Sequence, residues 1–102
     1  MIIYNVTLKL DHTIEKDWVR WMLDEHMPAL YDTGLFESYQ LCKLLDQDEA
    51  DGVTYVAQYH CKSRKEYDTY ISEYAQQMRD AGLNKFGDKF IAFRTVMEKI
   101  KG

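Results

Sequence analysis

The sequence predicts one α+β domain spanning residues 1–102, ordered strand-helix-strand-strand-helix-strand. Three observations carry that reading. Apolar side chains alternate with a period of two in four segments, two other segments carry them at helical spacing, and the loop between the middle strands is too short for a crossover helix. A chain of 102 residues has the length of a single core.

The first strand is residues 2–10, IIYNVTLKL, where Ile2, Tyr4, Val6, Leu8 and Leu10 share one face. Thr13 is the expected cap of the helix that follows, with Glu15 and Asp17 at the positive end of its dipole. Ile14, Trp18, Trp21, Met22 and Leu30 form its apolar stripe. Pro28 has no N–H to donate within the helix and predicts a kink or restart there, and Gly34 suits a left-handed stop.

Residues 35–45 and 53–61 read as two strands joined by a polar loop at 46–52, hence an antiparallel hairpin centred near residue 49. That centre puts Tyr39, Leu41, Leu45, Tyr55 and Tyr59 on one face, and Ser38, Gln40, Cys42, Val56, Gln58 and His60 on the other. Ser63 to Glu66 has the form of a capping box, and Tyr67, Tyr70, Ile71, Tyr74, Met78 and Ala81 follow along one face of a second helix that Gly82 is expected to end. Residues 90–100 supply the last strand. Together these make a split βαβ, ferredoxin-like unit: a four-stranded antiparallel sheet with two helices on one face. The uncovered face mixes Asn5, Thr7, Gln40, Gln58 and His60 with apolar groups. Phe90, Ala92 and Arg94, or their odd-numbered neighbours, complete it. A homodimer packed sheet on sheet accounts for such a half-polar surface.

Composition narrows the function classes. A net charge of -4 argues against nucleic acid, whose binding rests on clustered Lys and Arg. The strands 2–10 and 53–61 faintly echo the aromatic motifs of RNA-recognition domains, but Asp51 stands where a basic residue belongs. No apolar run reaches the ~20 residues of a membrane span and no secretory leader is evident, so the expected address is cytoplasmic. Cys42 and Cys61 fall about five residues out of step in the hairpin, roughly 17 Å apart at strand spacing, and are expected as free thiols. The acids of the 46–52 loop miss the calcium-loop positions, and His12, His26 and His60 lack ligand spacing, so no metal and no cofactor is expected.

The segments MIIYNVTLKLDH, WVRWMLDEHMP, LLDQDEADGVTY and FGDKFIAFRT resemble the uncharacterised bacterial family labelled domain of unknown function 4286, nearly from end to end. The resemblance implies the dimeric α+β barrel arrangement, with a pocket between each sheet and its helices, and no established activity. Trp21 with His26-Met27-Pro28-Ala29-Leu30 is also similar, more loosely, to the His-x-Pro helix of EthD-like proteins.

Candidate site residues follow from chemistry and spacing. His26 sits where Pro28 loosens the helix and is the candidate acid or base for a cofactor-independent reaction. The other reading is a solvent-exposed or capping histidine. Trp18, Trp21, Tyr55 and Tyr59, with Tyr4, are candidates to line a pocket for a small apolar or aromatic molecule, or are simply core. With 14% aromatic residues, the chain needs a core or an interface to hold them. Gln40, Gln58, His60 and Arg94 are expected at the dimer interface, where Arg94 either meets a carboxylate ligand or pairs with Glu37 or Glu98 of a second copy. A non-catalytic dimerisation or regulatory module with a filled core is the alternative function.

Overall fold

The computed structural model describes residues 1–102. Strand β1 (Ile2–Leu10) runs antiparallel to β3 (Val53–Cys61) on one side and to β4 (Phe90–Glu98) on the other. The short β2 (Ser38–Lys43) flanks β3, giving the order β2-β3-β1-β4. The helices between strands cover one face. This is the ferredoxin-like fold, and the hairpin register is the expected one: Ser38 faces His60, Gln40 faces Gln58 and Cys42 faces Val56. β2 is shorter than the apolar run suggested, and Leu45 lies beyond its end, exposed.

The first helical layer opens with a 3-10 turn (His12–Ile14) and continues as α1 (Glu15–Trp21), a π-helical turn (Met22–His26) and α2 (Met27–Tyr31). Asp11, not Thr13, caps it: its carboxylate accepts from the Thr13 backbone N–H at 2.9 Å and from the Thr13 hydroxyl at 2.7 Å. Asp11 stands at the extended residue just before the turn, where a side-chain acceptor reaches the N–H two residues on, and Thr13 already lies inside the turn. Pro28 does not break the layer. The turn before it widens, so that Met27 N–H reaches back five residues to Met22 O, and the ring avoids the carbonyl four residues earlier.

The second layer departs further from expectation. A break at Tyr74, with φ −125°, divides it into α3 (Arg64–Glu73) and α4 (Ala75–Phe86). The apolar stripe shifts by one residue after the break. Ala75, Gly82 and Phe86 turn inward, and Ala81 faces solvent. Gly82 therefore lies inside α4. Gly87, at φ 60°, is the residue that ends it, in a conformation that glycine adopts without steric cost. At the start of α3, the Ser63 hydroxyl bonds the Glu66 carboxylate side chain to side chain, and the Ser63 side chain makes no capping bond to the helix backbone.

The core lies between the sheet and these layers. Ile2, Tyr4, Val6, Leu8 and Leu10 of the central strand are all buried, with Trp18, Met22, Met27 and Leu30 above them. No helix is long and apolar enough to cross a membrane.

Candidate functional site

A cavity of about 50 Å³ lies between the sheet and the helices. Tyr4, Tyr59 and Phe90 of the sheet form its floor, Trp21 and His26 line one wall, and Arg79 lines the other. It exists because of local geometry on each side. On the first layer, the π turn ends at His26 and rotates the imidazole toward the sheet, where it stacks on Trp21 with ring centres 4.5 Å apart. Such turns recur at functional sites because they re-aim one side chain without breaking the helix. On the second layer, Gly82 has no side chain: a Cβ there would stand 3.6 Å from Trp21 Cη2 and 3.7 Å from Phe90 Cζ. The absent methyl leaves room beside both rings.

The electrostatics differ from what an unperturbed histidine would give. Loss of solvent, reinforced by the Arg94 guanidinium, lowers the His26 pKa to about 4. The imidazole is therefore neutral at pH 7. It can accept a proton or hydrogen bond there and does not supply the acid form. Burial likewise raises the Tyr59 and Tyr70 phenols, which stay protonated.

Trp18, Trp21, Tyr59 and Tyr4 all line the cavity. Tyr55 does not. It packs against Trp18 at 5.2 Å and donates its hydroxyl to Glu15 at 2.7 Å, and Glu15 also meets Lys43 at 3.3 Å. Burial, then that carboxylate, push its phenol up to about 12. Tyr55 thus closes the end of the sheet–helix layer, and its assignment to the pocket is corrected.

Arg94 is also displaced from its expected place. It pairs with Val6 across the β1–β4 ladder and so faces the helices, at the cavity mouth, away from Gln40, Gln58 and His60. Its odd-numbered neighbours Ile91, Phe93, Thr95 and Met97 take the open face instead. On that face one row of side chains spans all four strands: Gln40 donates to Gln58 at 2.8 Å, Gln58 to Asn5 at 3.0 Å, and Asn5 to Thr95 at 3.4 Å. His60 lies beside this row, two residues along β3 from Gln58 and opposite Ser38 and Ile3. Ile91 and Phe93 stand 58% and 63% exposed beside the row, on a sheet face that mixes apolar groups such as Ile3, Val56 and Met97 with the amides.

Sequence reasoning missed Arg79. It directly follows Met78 on the predicted stripe and reads as a solvated residue, yet it reaches the cavity wall. Only the break at Tyr74, which rotates α4, puts it there, and no residue pattern announces that break. No group of three or more His, Cys, Asp or Glu side chains is arranged to hold a metal ion. Cys42 and Cys61 are free thiols, one exposed and one buried.

A family model described as Domain of unknown function (DUF4286) matches residues 1–100. No curated protein matches the chain. Among solved structures, the chain is similar to a dimeric ferredoxin-like protein from an uncultured marine organism, with TM-score 0.72, 8% identity and coverage of 99% of this chain and 96% of that one. It is also similar to a candidate antibiotic biosynthesis monooxygenase from Deinococcus radiodurans, with TM-score 0.71, 16% identity, and coverage of 100% and 95%. An EthD family protein from Bacillus halodurans aligns with TM-score 0.67, 8% identity, and coverage of 98% and 100%. At these identities the likeness establishes the fold.

Proposed function

We propose that this chain, which belongs to the DUF4286 family, acts as a homodimer that binds a small apolar or aromatic molecule in the cleft between its sheet and helices. The observation that carries the reading is the cavity beside His26, walled by Trp21 and floored by Tyr4 and Tyr59, in an otherwise close-packed core. The dimeric ferredoxin-like neighbour and the monooxygenase-like neighbour support it as relatives in shape. The exposed Ile91 and Phe93 supply apolar area for a sheet-on-sheet contact. The amide row supplies polar groups whose hydrogen bonds are already made within the chain, which lowers the cost of covering them.

In this reading His26 is the group in the cleft suited to accept a proton from the bound molecule, with no cofactor required. Its neutral state fits a base and not an acid. The competing reading, a dimerisation module with a filled core, draws on the size of the cavity. About 50 Å³ holds water or a small head group, and ligand pockets typically span ~300–1,000 Å³. A thermal-shift screen of aromatic and acyl compounds separates the two. The cleft reading expects stabilisation of the native chain that is lost in Trp21→Ala, and a panel that stabilises neither protein favours the filled module.

A further inference from the structure

The cleft is charged in an unusual way for its surroundings. Two arginines line it from different elements, Arg79 from α4 and Arg94 from β4, and no aspartate or glutamate lines it with them. The chain's ion pairs are Lys43–Glu15 and Arg64–Asp68, so neither cleft arginine has a carboxylate partner. Arg79 Nε is the one buried side-chain nitrogen or oxygen left without a hydrogen-bond partner. A guanidinium keeps its charge at any ordinary pH, so it cannot relieve burial by losing a proton. Buried polar groups in native proteins are almost always satisfied, and an orphaned donor on a residue that lines a cavity points to something that satisfies it. Both arginines act electrostatically on Tyr70, and Arg94 acts on His26, so their fields converge on the same small volume. All this occurs in a chain whose net charge is -4, which makes an uncompensated positive cleft a local feature and not a consequence of overall basicity.

Resting on the cleft-binding reading above, we infer that the ligand is a small organic carboxylate, its carboxylate held between Arg79 and Arg94 and its apolar body against Trp21, Met78 and the tyrosines. The planar fork of a guanidinium matches a carboxylate with two parallel hydrogen bonds, and the pairing strengthens where water is excluded. The existing cavity is on the scale of the head group. Met78 and Trp21, both half-buried, are the side chains that move to admit the body, and methionine adapts readily to such repacking. Neutral His26 beside the carboxylate serves as a hydrogen-bonding partner.

Isothermal titration calorimetry with matched probes tests this. Hexanoate, benzoate and phenylacetate are compared with hexanamide, benzamide and phenylacetamide, and inorganic phosphate is added as a competitor. The inference expects at least one carboxylate to bind about tenfold or more tightly than its amide. Arg79→Gln and Arg94→Gln should each weaken that carboxylate about tenfold and leave the amide unchanged, and Arg79→Lys should restore part of the loss. Arg79→Gln should fold with an unchanged or higher Tm without ligand, because it removes a buried donor that has no partner. A lower Tm for that variant, with carboxylate affinity unaltered, would assign Arg79 a structural role and overturn the inference. Equal binding of amides and carboxylates overturns it while leaving cleft binding intact. Displacement by phosphate as effective as by the carboxylates assigns the site to an inorganic anion and overturns it too. If neither carboxylate nor amide binds, both the inference and the cleft-binding reading fall.

Discussion

The imidazole of His26 lies nearly parallel to the indole of Trp21, with 4.5 Å between ring centres and 21° between planes, while Arg94 approaches from the sheet. One face of the histidine is therefore desolvated and its environment is positive, and both effects oppose protonation.

The sign of the resulting pH dependence is fixed. The His26 pKa falls from 6.5 to about 4 on folding, so between those values the unfolded chain binds the extra proton. Stability from this residue is complete above about pH 6.5 and is lost as pH falls toward 4. Discounting for its partial exposure, the effect is on the order of 2 kcal/mol. Urea denaturation at pH 7.5 and pH 4.5 measures it, and His26→Phe should show a smaller difference than the native chain.

Gly82→Ala separates folding from binding. The added methyl meets Trp21 at 3.6 Å, an ordinary contact, and alanine favours a helix over glycine by about 1 kcal/mol. The variant should be as stable as the native chain or up to about 1 kcal/mol more so, and should bind cleft ligands more weakly. Thermal unfolding with and without ligand checks both parts.

Gly52 has φ 147°, and a Cβ at that position would overlap the backbone carbonyl oxygen of Leu10. Leu10 ends β1 and Gly52 directly precedes β3, whose first residue Val53 pairs with Leu10, so the backbone has little room to yield. Gly52→Ala should cost roughly 2–4 kcal/mol, read as a lower midpoint in urea with little change in slope.

Phe93 projects from the open face, 63% exposed, next to the amide row. Phe93→Glu would bury a carboxylate in a sheet-on-sheet contact and repel its own copy. Sedimentation should show dissociation raised about a hundredfold or more, with the circular dichroism spectrum unchanged. Native-like association of that variant would exclude this face from the dimer contact.

Much of the architecture was legible in the residues, and the failures have physical causes. The faces of β1, β2 and β3 followed from alternation because one side of each is decisively more apolar and the polar loop at 46–52 centred the hairpin. The face of β4 did not follow. Its sequence FIAFRTVME is apolar on both sides, with Phe90, Ala92 and Val96 opposed to Ile91, Phe93 and Met97, so only the pairing of Val6 with Arg94 decides. Alternation alone cannot choose between two apolar faces. The second helix was misread for a related reason: Gly82 looked like a stop, but its lack of a side chain serves packing against Trp21. His26 was recognisable from Pro28, because a proline inside a helical pattern distorts the turn before it, and Trp21 from its place on the apolar stripe. Arg79 was not, because its inward placement depends on a backbone break at Tyr74 with no signature of its own.

The space beside His26 should receive a small organic molecule. Two-dimensional NMR of the labelled protein, titrated with phenylacetate and with phenylacetamide, tests it most directly. At least one of these probes should shift the Trp21 indole N–H and the His26 ring resonances while leaving Phe93 and Thr95 on the opposite side of the sheet unmoved. If neither probe moves Trp21 or His26, or if the shifts gather on Phe93 and Thr95, the account is contradicted.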